Sequence, residues 1–333
     1  LYILPHINDK GAFDYPAAGR RVDRVDSPFR WRHLSDLAVH LVAARHRIHG
    51  PVVTNYSACA AGAISVGQAF REIRGGRLEW ALAGGFESMI HPFGVLSFQL
   101  LGALSESDRP LSEISRPFDR DRDGFVIGEG AAAFVLESME RVGSRPVYGE
   151  LVGMGTSVDA HRVTAPSPDG SGAALCMRRA LEDARQPASA VDYINAHGTS
   201  TLLNDVAETL AIKQVFGPRD TAPPVSATKS MVGHAVAAAG NVELLAVLAA
   251  LRDQALPPTI NLDHPDPACD LDYVPRKARE APVRLALSNS FGFGGNNAAV
   301  VLTSPGHQDS TAPSAEPGSL TLQFLAAQCI SGA

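Results

Sequence analysis

Residues 51–63 read Pro-Val-Val-Thr-Asn-Tyr-Ser-Ala-Cys-Ala-Ala-Gly-Ala, a β-branched run that passes directly into a run of small residues. Val52–Tyr56 predicts a short strand, and the Ala, Gly and Ser residues of Ser57–Ala69 predict a tightly packed helix. Leu78–Ala83 then reads as a second buried strand, closed by Gly84-Gly85. Strand, helix and strand in this order suggest a parallel βαβ unit. Toward the start of the chain, apolar residues at Leu34, Leu37, Ala38, Leu41, Val42, Ala44 and Ile48 keep helical spacing through Trp31–Ile48 and stop at Gly50-Pro51. Residues 1–30 carry turn formers and charges without a period and read as loop.

The second half repeats the plan. Strands are expected at Tyr148–Gly153, Val191–Asn195, Pro224–Ala227 and Leu285–Asn289, with helices over Gly172–Ala184, Asp205–Phe216 and Gly233–Leu251. Pro51-Val-Val-Thr aligns with Pro223-Pro-Val-Ser, each opening a small-residue helix, and Ala81-Leu-Ala-Gly-Gly-Phe aligns with Ala286-Leu-Ser-Asn-Ser-Phe. Weak but ordered self-similarity of this kind predicts a duplicated α/β fold. Pro257–Val274, rich in Pro, Asp and Asn, reads as an insertion loop. Residues 304–333 read as a flexible tail, with Leu320–Ile330 open to a short helix or the start of a further element.

The chain of 333 residues is 45% hydrophobic and 19% charged, with a mean hydropathy of +0.00, the composition of a soluble globular protein. It has no apolar run of the roughly 20 residues needed to span a bilayer. A net charge of −6, from 29 basic and 35 acidic residues, argues against nucleic acid as a partner. The Arg/Asp alternation of Arg116–Asp123 reads as a local ion-pair network. Cys59, Cys176, Cys269 and Cys329 are far apart, without CxxC or His/Cys ligand spacing, so neither disulfides nor a metal site is expected. The expected compartment is the cytoplasm.

Cys59 lies where a strand gives way to a helix. Orphan N–H groups and the positive end of the helix dipole there favour a thiolate, although a lone cysteine is more commonly a small buried hydrophobe. The other three cysteines receive that plainer reading. His197, in Asn195-Ala-His-Gly-Thr-Ser-Thr, and His234, in Thr228-Lys-Ser-Met-Val-Gly-His, sit at strand ends suited to proton transfer, where an ordinary loop histidine is the bland alternative. A thiol and two imidazoles are the ingredients of acyl transfer. Lys229 is one of four lysines in an Arg-rich chain. It reads either as a solvated loop charge or as a cation tuning a nearby imidazole, with Glu208 as its expected partner. Asn289-Ser-Phe-Gly-Phe-Gly-Gly-Asn-Asn is a glycine-rich turn able to present N–H groups to an oxyanion.

Seven stretches carry a family resemblance: SACAAGAISVGQA (57–69), RPFDRDRDGFVIGEGAAAFVLE (116–137), NAHGTSTLLND (195–205), SATKSMVGHAVAAAGNVE (226–243), LPPTINLDHPD (256–266), CDLDYVP (269–275) and NSFGFGGNNAAVVL (289–302). Together they resemble the 3-oxoacyl-[acyl-carrier-protein] synthase II class of condensing enzymes. The resemblance implies a thiolase-like αβαβα layered α/β fold of two duplicated halves. Residues 1–145 would be a partial first half carrying the nucleophile, and 146–303 a second half carrying both histidines. It implies that Cys59 takes the acyl chain as a thioester and that the backbone N–H groups of Cys59 and Phe293 form the oxyanion hole. His197 and His234 would support decarboxylation and hold the enolate, while Lys229 with Glu208 would maintain their charge state. Thr199 and Thr201 would bind the pantetheine arm, and Phe293 would be the gate.

The implied reaction is a decarboxylating Claisen condensation with malonyl-acyl carrier protein, run by a homodimer without a separate cofactor and away from membranes. The family places its cysteine roughly a hundred residues later, so the first strand–helix pairs are missing here and unpaired central sheet edges are expected. Asn296 stands where the family has Thr, and Ala235–Ala238 replaces a bulkier segment. The other readings are a ketosynthase of a polyketide or specialised pathway and a non-catalytic truncated partner subunit.

Overall fold

In the computed structural model, residues 36–306 are described in full and 320–330 by their backbone. The loop expected over 1–30, the helix start at Trp31 and the Ser/Pro/Gly-rich stretch 307–319 lie outside the described residues. The chain divides into two compact units, 1–54 and 55–333.

In the first unit the periodic stretch folds as α1 (Leu37–His46), ended by Arg47 in the left-handed conformation at φ 54°. The strand expected over Val52–Tyr56 does not form. These residues join no ladder among the described residues, and Val53 and Tyr56 are each 70% exposed. A β-branched run becomes a strand only where a neighbouring edge takes its N–H and C=O groups.

The second unit runs α2 (Ala61–Arg74), β1 (Trp80–Glu87), α3 (Pro92–Leu100), β2 (Glu129–Ser138), β3 (Gly149–Val158), α4 (Ser171–Ala184), β4 (Tyr193–Asn195), α5 (Leu202–Phe216), β5 (Val225–Ser226) and α6 (Ala239–Asp253). It continues with β6 (Ala255–Leu256), β7 (Arg279–Glu280), β8 (Leu285–Gly292), β9 (Asn296–Thr303) and β10 (Leu320–Ile330). Eight strands form one sheet in the order β1-β2-β10-β3-β9-β8-β4-β5, and β6 pairs with β7 in a separate ribbon flanking the insertion loop. Parallel pairing occurs where β4 meets β5 and β8. The first-half expectation of a parallel βαβ unit is overturned: β1 pairs antiparallel with β2, a strand the sequence reading did not find.

The tail expectation is also overturned over Leu320–Ile330. This segment is a strand, antiparallel to β2 along its length and to β3 over Leu320–Leu322. Without it, the facing edges of β2 and β3 would present rows of unpaired N–H and C=O groups. The unpaired edges expected at the centre of the sheet are therefore closed at this position.

Helices cover both faces of the sheet. Along β9, Ala298, Val300 and Leu302 pack with Val66 and Phe70 of α2 and Leu244 and Val247 of α6. Ala299 and Val301 turn to the other face, toward Met177 and Ala180 of α4 and Ile212 of α5. Burial on two faces explains why Ala298–Leu302 of β9 reads as a continuous apolar run rather than an alternating one. The layering brings the loops after β4, β5 and β8 to the start of α2.

Candidate active site

Cys59 sits in a 3₁₀ turn, Ala58–Ala60, immediately before α2. Ala58 holds φ at 47°, and the Ala60 N–H donates to the Ser57 carbonyl at 3.1 Å. The thiol is buried in an apolar cluster with Phe98, Phe125 and Val236. Desolvation there pushes its pKa up to about 11, against opposing pulls from Lys229 and from the backbone N–H groups of Phe293 and Cys59. This corrects the expectation of a resting thiolate. Helix start and N–H groups are present, but burial outweighs them and favours the protonated thiol.

The turn packs tightly against residue 292, where glycine leaves room for it. A Cβ at Gly292 would lie 2.9 Å from the Ser57 carbonyl oxygen and 3.0 Å from the Cys59 nitrogen. Gly294, at φ 79°, lets Phe293 swing over the thiol, where its ring stacks on Phe98 with centroids 6.4 Å apart.

His197 follows β4 and His234 follows the short helix Lys229–Val232. The rings lie 5.4 Å apart at 84° to one another. The Cys59 sulfur and one nitrogen from each ring all lie within 4.8 Å of one another. Burial, and then the charge of Lys229, hold both imidazoles well below their ordinary pKa, which makes them neutral near pH 7.

Lys229 is 2% exposed. Its ammonium donates to the His197 carbonyl at 2.7 Å, lies 3.2 Å from His197 Nδ1 and pairs with Glu243 of α6. The expected partner, Glu208, does something else. Its carboxylate accepts from the backbone N–H groups of His197 and Gly198, both at 2.8 Å, and from Asn289 Nδ2 at 3.1 Å. It thus holds the histidine loop by its backbone, and the ammonium pairs with Glu243 instead. Burial raises Glu208 to about 7 and pushes Glu243 up against the pull of Lys229. The sequence reading missed Glu243, although an acid inside the apolar helix segment Asn241-Val-Glu-Leu-Leu was a usable signal.

Thr199 and Thr201 place their hydroxyls 2.8 Å apart. The Thr201 carbonyl accepts from Arg122 Nε at 3.2 Å, and Arg122 also pairs with Asp205 and Asp266, so within the Arg116–Asp123 run Arg116, Asp119 and Arg122 form buried ion pairs while Arg120, Asp121 and Asp123 are exposed. Both threonines, Cys59, His197, His234 and Phe293 line one cavity of about 440 Å³.

A duplicated α/β sheet covered by helices on both faces, with a thiol at a helix start and imidazoles at strand ends, defines a thiolase-like fold. Known proteins agree. The family described as Beta-ketoacyl synthase, N-terminal domain, matches residues 13–141, and its C-terminal domain matches 148–263. The 3-oxoacyl-[acyl-carrier-protein] synthase 2 of Synechocystis sp. is 46% identical over 267 residues, 79% of this chain. The chain spans 64% of that relative's length. A solved beta-ketoacyl synthase from Burkholderia phymatum has a TM-score of 0.81 at 36% identity, covering 87% of this chain and 71% of that one. The solved AntDE:AntF complex, a type II PKS acyl-carrier protein with its ketosynthase bound to the hexaketide, has a TM-score of 0.82 at 38% identity, covering 85% and 70%. The chain belongs to the beta-ketoacyl synthase family.

Proposed function

We propose that this protein condenses a Cys59-bound acyl chain with malonyl-acyl carrier protein, giving 3-oxoacyl-acyl carrier protein and CO2 in fatty acid elongation. The observation that carries the reading is the convergence of Cys59, His197 and His234 on one cavity. In the first half-reaction the Cys59 thiol displaces the carrier thiol from an acyl thioester. Its proton passes by way of a neutral imidazole to the departing sulfur. Lys229 donates to His197 Nδ1, so the proton of that ring sits on Nε2, and His234 is the ring we assign to proton removal.

In the second half-reaction the malonyl carboxylate leaves as CO2 and its electron pair becomes an enolate, whose oxygen takes hydrogen bonds from the two imidazoles. The enolate carbon attacks the Cys59 thioester. The N–H groups of Cys59 and Phe293 hold the tetrahedral oxyanion, and collapse releases the 3-oxoacyl thioester and the Cys59 thiolate. Residues 1–145 supply the nucleophile and 146–303 the imidazoles. Thr199 and Thr201 meet the pantetheine arm, and Glu208 positions the His197 loop. The partners are acyl carrier protein and a second copy of this chain, with no separate cofactor, in the cytoplasm. Three cysteines of the described residues are free, and no described helix is long and apolar enough to cross a membrane.

Incubation with acyl-acyl carrier protein and intact mass analysis tests the reading. An acyl adduct on Cys59 supports it, and a folded sample without one overturns it. A second reading, elongation in a polyketide pathway, draws on the likeness to the AntDE:AntF ketosynthase. A panel of carrier proteins and chain lengths separates the two.

A further inference from the structure

The cavity that holds Cys59 has two unlike ends. Cys59, His197 and His234 line it where it is buried, and Arg162, Val163, Leu202 and Leu203 line it where it meets solvent. Arg162 is the one lysine or arginine in the cavity wall, and among the described residues its guanidinium joins no ion pair and no side-chain hydrogen bond. A guanidinium presents a planar fork of N–H donors that fits a carboxylate or a phosphate. The wall also carries the carboxylates of Asp123 and Asp159, and neither is the partner of Arg162. Asp123 accepts from the Ser105 hydroxyl and the Glu106 N–H, and Asp159 from Asn297 Nδ2 and the Ser167 N–H.

The backbone holds this arginine in place. Beyond β3 the chain turns at Ala160, at φ 50°. The Asp159 N–H donates to the Gly295 carbonyl at 2.9 Å, and the Gly294 N–H donates to the Val163 carbonyl at 2.7 Å. These two bonds bracket Arg162 and tie its segment to the turn that carries Phe293, so the guanidinium projects from a fixed backbone. The first turn of α5 opens on the same cavity, and no side chain caps its N–H groups. Its dipole adds to the positive potential there.

We infer that Arg162 binds the phosphate at the far end of the pantetheine arm while the thioester end reaches Cys59. The choice of ligand rests on the acyl-transfer reading above. Such an arm has sulfur at one end, amides along its middle, and a gem-dimethyl group next to the phosphate. The cavity offers a counterpart to each: the thiol, the hydroxyls of Thr199 and Thr201, the exposed apolar side chains of Val163, Leu202 and Leu203, and a free cation. Its volume of about 440 Å³ lies in the range of small-molecule sites. Carrier protein and coenzyme A both present this phosphorylated end, so Arg162 reads the phosphate that they share.

Free 4′-phosphopantetheine and pantetheine, each titrated calorimetrically in the presence of a reductant, test the contact without turnover. The phosphorylated form is expected to bind about tenfold more tightly. Arg162→Ala is expected to remove that preference without changing the affinity for pantetheine, Arg162→Lys to keep part of it, and added salt to shrink it, with circular dichroism showing each variant folded. Equal affinity for the two forms in the wild type, or a preference that survives in Arg162→Ala, overturns the proposal. Cys59 acylation from acyl-acyl carrier protein and from acyl-coenzyme A, read by intact mass, separates the sources. A loss with both donors in Arg162→Ala assigns the contact to the shared phosphate, a loss with one assigns it to that donor, and a loss with neither overturns it. Absence of acylation in the wild type overturns the acyl-transfer reading alone, because the titrations still decide the phosphate contact.

Discussion

The ammonium of Lys229 reaches His197 twice, donating to its carbonyl oxygen at 2.7 Å and approaching its Nδ1 at 3.2 Å. One cation therefore fixes both the position of the histidine loop and the tautomer of its ring.

The tautomer is directly measurable. ¹⁵N NMR is expected to show His197 protonated on Nε2 and neutral as pH falls through the ordinary value of about 6.5. Because its folded pKa is lowered, the histidine contributes stability above that value and loses it as pH drops further toward the folded pKa. An imidazolium signal from His197 at pH 6.5 contradicts the assignment.

Removing Lys229 strands Glu243, which is 1% exposed. Lys229→Met is expected to cost about 3–5 kcal/mol in urea denaturation, because an unpaired buried charge remains. Adding Glu243→Leu is expected to recover part of that loss. Additive losses in the double-mutant cycle contradict the pairing.

Glu208 gives the opposite pH signature to the histidines. Its folded pKa, about 7, lies above the ordinary carboxylate value. Its contribution to stability is full below about pH 4.3 and fades as pH rises toward 7. Glu208→Gln is expected to remove up to about 1.4 kcal/mol per pH unit from the slope in that window. An unchanged slope argues that the group is ionised throughout.

Cys59 alkylation by iodoacetamide is expected to keep accelerating with pH beyond the ordinary thiol value of about 8.5, because burial holds this thiol near 11. A plateau near pH 8.5 shows that the apolar cluster around the sulfur opens to water.

Gly292→Ala places a methyl group against the Ser57 carbonyl and the Cys59 nitrogen. Displacing the Cys59 turn by a few tenths of an ångström is expected to lower the rate of Cys59 acylation about tenfold with the melting temperature little changed. Acylation at the wild-type rate means that the turn relaxes at no cost.

Much of this was legible in the sequence, for identifiable reasons. Cys59, His197, His234 and Lys229 stand in short polar or small-residue turns between apolar elements, and such punctuation survives without coordinates. What failed depended on partners distant in the chain. Val52–Tyr56 has strand composition but joins no ladder among the described residues, whereas β9 lacks alternation because both its faces are covered. On paper Glu208 is the partner of Lys229, and only the fold, which brings Glu243 of α6 to the ammonium, shows otherwise. Positions 59, 197 and 234 form no local motif, yet the fold gathers them within 4.8 Å, as their shared placement between apolar elements suggests.

The strand order carries a consequence for how the molecule is made. β2 meets β3 only through β10, with Ser138 paired to Leu320. On a ribosome β2 emerges long before its neighbour exists, and its open edge must wait through the synthesis of every element between them. Such long-range closure is slow and leaves an adhesive edge exposed in the meantime. Closure between β2 and β3 therefore waits for Leu320–Ile330, and a nascent chain halted before Leu320 leaves the facing edge of β2 unpaired.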